Sequence, residues 1–458
     1  MKEFVVTCIR QHADRSANEY YCLQANPNSF TIKNIGNEKN LELLDIIDGK
    51  RKMTNEEIEG IAEQLSRNIV KETDANLLGN VKNAKEMNKK ITSCCELLVK
   101  KLLLSAPIIV RFHNDADGSS GAYALFLAIR KLLAENGSDL QNITWKMHRS
   151  IAYSNSDSFE DRFTVNSYVT STKPLLVLLD FGTSEESNGI NDALEEFDIL
   201  WVDHHPILEG FPLSRLPNYV NPWMYEGNSD LTAGFLAGEL AKKIADVDID
   251  NIQMASLIGD HSEYSNTNNS EALEIADLLD MVTSDSRQLV TYGNGYVKPH
   301  DINRMLTDKN LKSELVAFSK THMDTMINEG LQNLKKYNIQ GTHLYVVDFE
   351  KLREKHGETK YPLPGRYSSK LLDVISENTG EKCVLVLHFL SFISVRISKG
   401  LESEIDALSK AMELKKTYSD TIDACGGHRN AFSIKLRSSD DKKSMLRIFL
   451  RELGCSIK

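Results

Sequence analysis

The middle of the chain is built from short apolar runs that stop abruptly at an acidic or imidazole residue. Residues 106–112 lead into His113, Asn114, Asp115, Ala116, Asp117 and Gly118, and residues 175–179, all Leu or Val, stop at Asp180. Residues 198–202 run into Asp203, His204 and His205, and residues 255–259 stop at Asp260. Continuous apolar runs of this length predict strands buried on both faces, the pattern of a parallel sheet. Gly118 to Gly121 open a predicted helix that Asn136-Gly137 stops. The small residues within 232–241 predict a helix packed closely on that sheet. The fold class is therefore α/β. In open α/β sheets ligands bind beyond the carboxyl ends of the strands, so His113, Asp115, Asp117, Asp180, Asp203, His204, His205 and Asp260 are expected on one rim.

On either side of this region the pattern changes. Residues 4–9 and 20–24 predict a pair of strands, Thr54 to Glu57 a capping box opening a helix, and residues 78–104 a second helix. This amino-terminal part, residues 1–100, carries no cluster of chemical groups and is expected to pack on the next domain. Residues 101–300 form the expected catalytic domain. From about 266 to 337 the pattern is helical and polar, which makes 301–338 a helical connector. Residues 339–458 hold further predicted strands at 343–348, 383–388 and 392–396, a smaller α/β domain.

With 458 residues the chain is too long for one hydrophobic core, in line with this division. Its 41% hydrophobic and 26% charged residues are ordinary for a globular protein. No apolar run reaches the roughly 18 residues needed to span a bilayer, and the amino terminus lacks a signal-peptide pattern. A cytoplasmic, non-membrane protein is expected. Seven scattered cysteines without a Cys-x-x-Cys pair predict neither a disulfide framework nor a structural zinc site. The net charge of −11 and pI of 5.6 argue against a large basic groove. They leave room for phosphodiester chemistry, because bound metals supply local positive charge.

Carboxylates that can bridge two hard cations, together with imidazoles, suit a pair of divalent ions. The same segments resemble the four amino-side motifs of the DHH phosphoesterases: His113-x-Asp115-x-Asp117-Gly118, Asp180 before Phe181-Gly182, Asp203-His204-His205-Pro206, and Asp260 after Gly259. Asn221-Pro222 matches a recurrent pair after the third motif. Cys425 to Ala431, with Gly426, Gly427 and His428, is similar to the Gly-Gly-His-x-x-Ala signature of the DHH-associated domain, and Ser394-x-Arg396 to a second segment of it. The resemblance runs from about residue 100 to the end and points to the RecJ-like exonucleases, especially compact archaeal forms. The chain departs from the family pattern at Ser433 and in residues 261–264 after the fourth motif.

The resemblance implies a parallel-sheet DHH catalytic domain and a smaller DHH-associated domain. It implies that His113 and Asp115 hold one metal, that Asp117, His204 and Asp260 hold the other, and that Asp180 bridges them. Asp203 would orient an imidazole and His205 would face the scissile phosphate. Mn²⁺ is the favoured ion, with Mg²⁺ next. The carboxyl domain would bind substrate through Arg396, Gly426, Gly427, His428 and Arg429, with Arg366 adding a cation and Tyr367 a stacking ring. The expected function is a metal-dependent exonuclease on single-stranded DNA or RNA that releases mononucleotides, with a replisome partner resembling GINS. Two alternatives remain. One is a nanoRNase-like phosphodiesterase for short oligonucleotides or cyclic dinucleotides. The other is a replisome scaffold like the inactivated family member of the eukaryotic helicase.

Overall fold

The computed structural model describes residues 4–11, 18–26, 29–35, 41–47, 51–72, 81–138, 142–284, 297–339, 341–356 and 360–455. The chain divides into two compact units, Met1–Lys312 and Ser313–Lys458.

The first unit begins with strands β1 (Val5–Gln11), β2 (Asn18–Asn26) and β3 (Ser29–Ile35), then helices α1 (Asn55–Ile69) and α2 (Ala84–Leu103). Thr54 and Glu57 form the expected capping box of α1. The second expected helix starts at Ala84 rather than 78, and residues 78–80 lie outside the described residues. Next come β4 (Ile108–His113), α3 (Ala116–Glu135), β5 (Ile143–His148), α4 (Asn155–Val165), β6 (Tyr168–Thr170), β7 (Leu175–Leu179), α5 (Gly189–Glu196), β8 (Asp198–Val202) and β9 (Tyr219–Val220). Helices α6 (Ala233–Ile244), α7 (Asp250–Gly259), α8 (Ser270–Ser284) and α9 (Pro299–Thr307) follow.

Five strands form a sheet in the order β5-β4-β7-β8-β9, every pair parallel. Strands β4, β7 and β8 are almost wholly buried, as their apolar runs require. The chain leaves β4 toward β5 and returns to the other side of β4 as β7, so the sheet has its topological switch point between β4 and β7. The small strand β6 joins β3-β2-β1 in a separate four-stranded antiparallel sheet.

One expected strand is a helix. Residues 255–259 form the end of α7, and Asp260 caps that helix at its carboxyl end. A run of five residues cannot distinguish strand from helix by periodicity, and the helical turn before it, with Ile252 and Gln253 buried, decides the outcome. The helix after the first motif also begins earlier than expected, with Asp115 as its N-cap and Asp117 inside its first turn.

Helix α10 (Lys309–Gln332) carries the boundary between the units in its first turn. The second unit continues with β10 (Lys335–Ile339), β11 (Thr342–Asp348), α11 (Phe349–Lys355), α12 (Pro364–Thr379), β12 (Cys383–Phe389), β13 (Phe392–Ile397), α13 (Ala407–Thr417), β14 (Ile422–His428), β15 (Ala431–Leu436) and α14 (Lys442–Glu452). Its six strands run in the order β10-β11-β12-β13-β15-β14, with only β11 and β12 parallel. Strand β10 falls where a helical connector was expected. It is a short edge strand, and only Tyr337 and Ile339 turn inward between exposed Lys336 and Asn338, too brief an alternation to set it apart in a polar stretch. Residues 285–296 of the expected helical, polar stretch 266–337 lie outside the described residues.

Candidate metal centre

The local chemistry of each strand end explains how the donors converge. His113 closes β4, and Asp115 caps α3 by accepting from Gly118 N at 3.0 Å. Gly118 has no alternative residue: a Cβ there would lie 2.6 Å from the His113 carbonyl oxygen, so any side chain would push the helix off the strand end. Asp117, in the first turn of α3, accepts from the backbone of Ala233 and Gly234 at 3.0 and 2.7 Å and from Ser256 Oγ. It thereby satisfies N–H groups at the start of α6, which the helix cannot satisfy itself. Asp180 follows β7 with φ of 61°, a left-handed conformation that is costly for a residue with a side chain.

His113 Nδ1 lies 2.6 Å from Asp115 Oδ2 and 3.2 Å from Asp180 Oδ2. His204 Nε2 lies 3.1 Å from Asp260 Oδ2, 3.5 Å from Asp180 Oδ1 and 3.7 Å from Asp117 Oδ2. His204 Nδ1 sits 2.8 Å from the Ser229 carbonyl oxygen, which makes Nδ1 the protonated nitrogen and turns Nε2 toward the carboxylates. Asp203 is fully buried and accepts four bonds, from His205 Nδ1 at 2.8 Å, His205 N at 3.1 Å, Tyr219 Oη at 2.8 Å and Asn221 Nδ2 at 3.0 Å. Three sets of donor atoms are close enough to share an ion: His113, Asp115 and Asp180; Asp117, His204 and Asp260; and Asp180, His204 and His205. Asp180 belongs to two of these sets, and all surround the switch point.

The electrostatics are those of a site that wants cations. Burial pushes the carboxyls of Asp115, Asp117, Asp180 and Asp260 toward their neutral form. His113 and His204 overcome it at Asp180, whose pKa falls well below the usual carboxylate range. Asp117, buried and facing Asp180 and Asp260, is held well above it. Both imidazoles rise well above their ordinary value despite burial, His113 through Asp115 and Asp180, His204 through Asp180 and Asp260. Asp180 Oδ1 is buried without a hydrogen-bond partner among the described residues. A hard cation is the group that such a donor set fits.

Sequence reasoning missed Ser229, Tyr219 and Trp223, which touch His204 or Asp203. No local pattern marks them, because their roles come from contacts made across the fold.

In the second unit, Arg396 on β13 lies opposite Ala431 on β15, which in turn lies opposite His428 on β14. Arg396 Nε donates to Ser368 Oγ at 3.2 Å, and Nη2 lies 3.4 Å from the Gly365 carbonyl oxygen. Arg366 is half-buried in the first turn of α12. Gly426 and Gly427 belong to β14, and Arg429 is exposed in the turn to β15. Gly427 has φ of 133°, and a Cβ there would lie 2.5 Å from the Ala431 carbonyl oxygen, so the hairpin itself requires it. Gly426 faces open space. The side chain of His428 lies outside what the structure describes. Tyr367 is not an exposed stacking ring as expected: it is fully buried and its hydroxyl donates to the Met326 carbonyl oxygen at 3.1 Å. Leu371 and Leu372 lie four and five residues on, along the helix's buried face, and that apolar stripe takes Tyr367 into the core.

With this geometry in view, solved structures decide the architecture. A DHH domain from a member of the s1p family of ribosomal proteins superposes with a TM-score of 0.68 at 21% identity, covering 88% of this chain and 98% of that one. The chain has the DHH fold. The crystal structure of RecJ in complex with Mn²⁺ from Thermus thermophilus shares this DHH fold with a TM-score of 0.50 at 16% identity, covering 80% of this chain and 54% of that one. An uncharacterised protein of Methanocaldococcus jannaschii is 26% identical over 220 residues, which span 44% of this chain and 29% of that relative. No family model matches the sequence. Among the described residues no helix is long and apolar enough to cross a membrane.

Proposed function

We propose that this protein is a metal-dependent phosphodiesterase of the DHH family, a RecJ-like exonuclease that degrades single-stranded DNA or RNA from an end and releases mononucleotides. The observation that carries this reading is the sharing of Asp180 between donor sets at the switch point of a parallel sheet. His113 and Asp115 would hold one divalent ion, Asp117, His204 and Asp260 the other, and Asp180 both. When bound, such a pair activates a water molecule and neutralises the phosphoryl oxygens. Oxygen donors with imidazoles favour Mn²⁺, with Mg²⁺ next, and the Thermus RecJ structure is a complex with Mn²⁺.

The remaining groups position and move protons. Asp203 fixes the tautomer of His205 through the 2.8 Å bond to Nδ1 and so makes Nε2 the atom that exchanges a proton with the leaving oxygen. Tyr219 and Asn221 hold Asp203 in place.

Charge supports a division of labour. Residues 1–312 carry 31 Lys and Arg against 46 Asp and Glu, whereas residues 313–458 carry 23 against 19. The acidic pI of the whole chain thus conceals a mildly basic second unit. Substrate would be held there by Arg396, Arg429, His428 and Arg366, with Gly426 letting a phosphate approach the backbone. The strongly acidic first unit favours, as a second reading, short oligonucleotides over long strands, since long-strand affinity rests on neutralising many phosphates.

Digestion of 5′- and 3′-labelled DNA and RNA strands of several lengths, with Mn²⁺ or Mg²⁺, tests the proposal. A ladder of mononucleotide release from one end is expected, with a circular single strand resisting. Equal degradation of the circle would replace the exonuclease with an endonuclease, and no hydrolysis of any strand would sink the enzyme reading.

A further inference from the structure

The chain has three tryptophans. Trp201 is fully buried in the core, and Trp145 packs edge-on against Phe126 with ring centroids 6.0 Å apart. Trp223 is different. It stands just beyond the carboxyl end of β9, the neighbour of the strand that delivers Asp203, His204 and His205, and 44% of it is exposed. Leaving an indole in water forfeits the burial that normally places it inside.

The ring is nevertheless fixed. Its Nε1 donates toward the His204 carbonyl oxygen and Ser229 Oγ, each at 3.1 Å. Its backbone N donates to Asn221 Oδ1 at 3.0 Å, and the same Asn221 side chain donates to Asp203 Oδ2 and the His205 carbonyl oxygen, both at 3.0 Å. Pro222 restricts the backbone immediately before it. The His204 carbonyl does not depend on the indole, because Ser229 Oγ already donates to it at 2.7 Å. The polar edge of the ring is therefore tied to the backbone of a site histidine, while 44% of the residue stays exposed.

We propose that Trp223 is a stacking platform for the nucleobase adjacent to the scissile phosphate, so that the site selects nucleotides over base-free phosphodiesters. The inference rests on the phosphodiesterase reading and names its substrate class more narrowly. Every base has a π face, so the platform confers a requirement for a base without a preference for one sequence.

The test compares two oligonucleotides of equal length, one with an ordinary terminal nucleotide and one with an abasic terminal residue, on the wild type, Trp223→Phe and Trp223→Leu. The wild type is expected to favour the base-bearing strand by about tenfold in kcat/KM. Trp223→Phe keeps most of that ratio, and Trp223→Leu brings it close to one. A full ratio in Trp223→Leu overturns the proposal. So does an equal loss on both strands in both variants accompanied by weaker Mn²⁺ binding, which would make Trp223 a support for His204. If the wild type hydrolyses neither strand, the enzyme reading fails by itself, and tryptophan fluorescence decides the platform. Adenosine monophosphate should quench the wild-type emission but not that of Trp223→Phe, and ribose 5-phosphate should quench neither. No quenching of the wild type by adenosine monophosphate overturns the platform.

Discussion

The first unit holds two buried charge clusters that begin two residues apart on β4, and only one of them is complete in itself. At Arg111, the guanidinium bonds Asp161 through Nε at 2.7 Å, Asp157 through Nη1 at 3.1 Å and Glu160 through Nη2 at 2.9 Å. Lys146 adds bonds to Asp161 and Glu160 at 2.8 and 3.0 Å, and Tyr153 donates to Asp161 at 3.0 Å. Every acidic group there faces a cation or donor of the chain. At His113, five carboxylates meet three imidazoles, no Lys or Arg joins the described contacts, and Asp180 Oδ1 is buried without a hydrogen bond. The first cluster is a closed ion network that ties α4 to the sheet. The second is short of positive charge. Buried acidic residues alone do not indicate a metal site; the missing countercharge does.

The largest effect that would break this contrast is loss of activity in Asp180→Ala. Turnover with Mn²⁺ should fall at least a hundredfold, since both donor sets lose a shared ligand, while the melting temperature of the chelated protein should not drop. Retention of more than about a tenth of turnover would remove Asp180 from its bridging role. Asp161→Ala should do the reverse. It leaves Arg111 and Lys146 without their shared carboxylate and should cost about 3–5 kcal/mol of unfolding free energy by urea titration, with Mn²⁺ binding retained; a loss below ~1 kcal/mol would show that the network is not a closed one.

Metal addition gives a smaller effect of the same sign at one cluster only. Mn²⁺ at about one hundred times its dissociation constant should stabilise the wild type and Asp161→Ala by roughly 2.7 kcal/mol, read as a rise in melting temperature after chelation. Asp180→Ala should show much less. An equal rise in all three proteins would place the ion elsewhere. The smallest effect belongs outside both clusters: Arg396→Ala should raise KM about tenfold, near the low end of the worth of a charge-assisted bond to phosphate, with metal content by elemental analysis unchanged. Loss of metal in that variant would contradict the assignment of ions to the first unit.

Much of this was legible without coordinates. The runs before Asp180 and Asp203, five and four consecutive apolar residues, fit strands covered on both faces, and the acidic or imidazole residues at their ends announce the rim. The contrast between the clusters was not legible. Arg111 sits inside an apolar run and His113 at its end, yet nothing local says that α4 will turn Asp157 and Asp161 inward toward Arg111 while leaving Phe159 and Phe163 exposed.

By itself, then, the sequence marked the three central strands of the parallel sheet, β4, β7 and β8, and the acidic and imidazole residues at their ends, but not the outer strands β5 and β9, because burial and periodicity act over a few neighbouring residues. Tertiary structure alone decided three things. It made the run before Asp260 a helix end, since a short apolar run fits either element until its packing partners are fixed. It made Tyr367 a core residue rather than a ligand ring. It also set Trp223 beside His204, because the hydrogen bonds that hold an exposed ring come from Asn221, Ser229 and a backbone carbonyl, which only the closed sheet brings together.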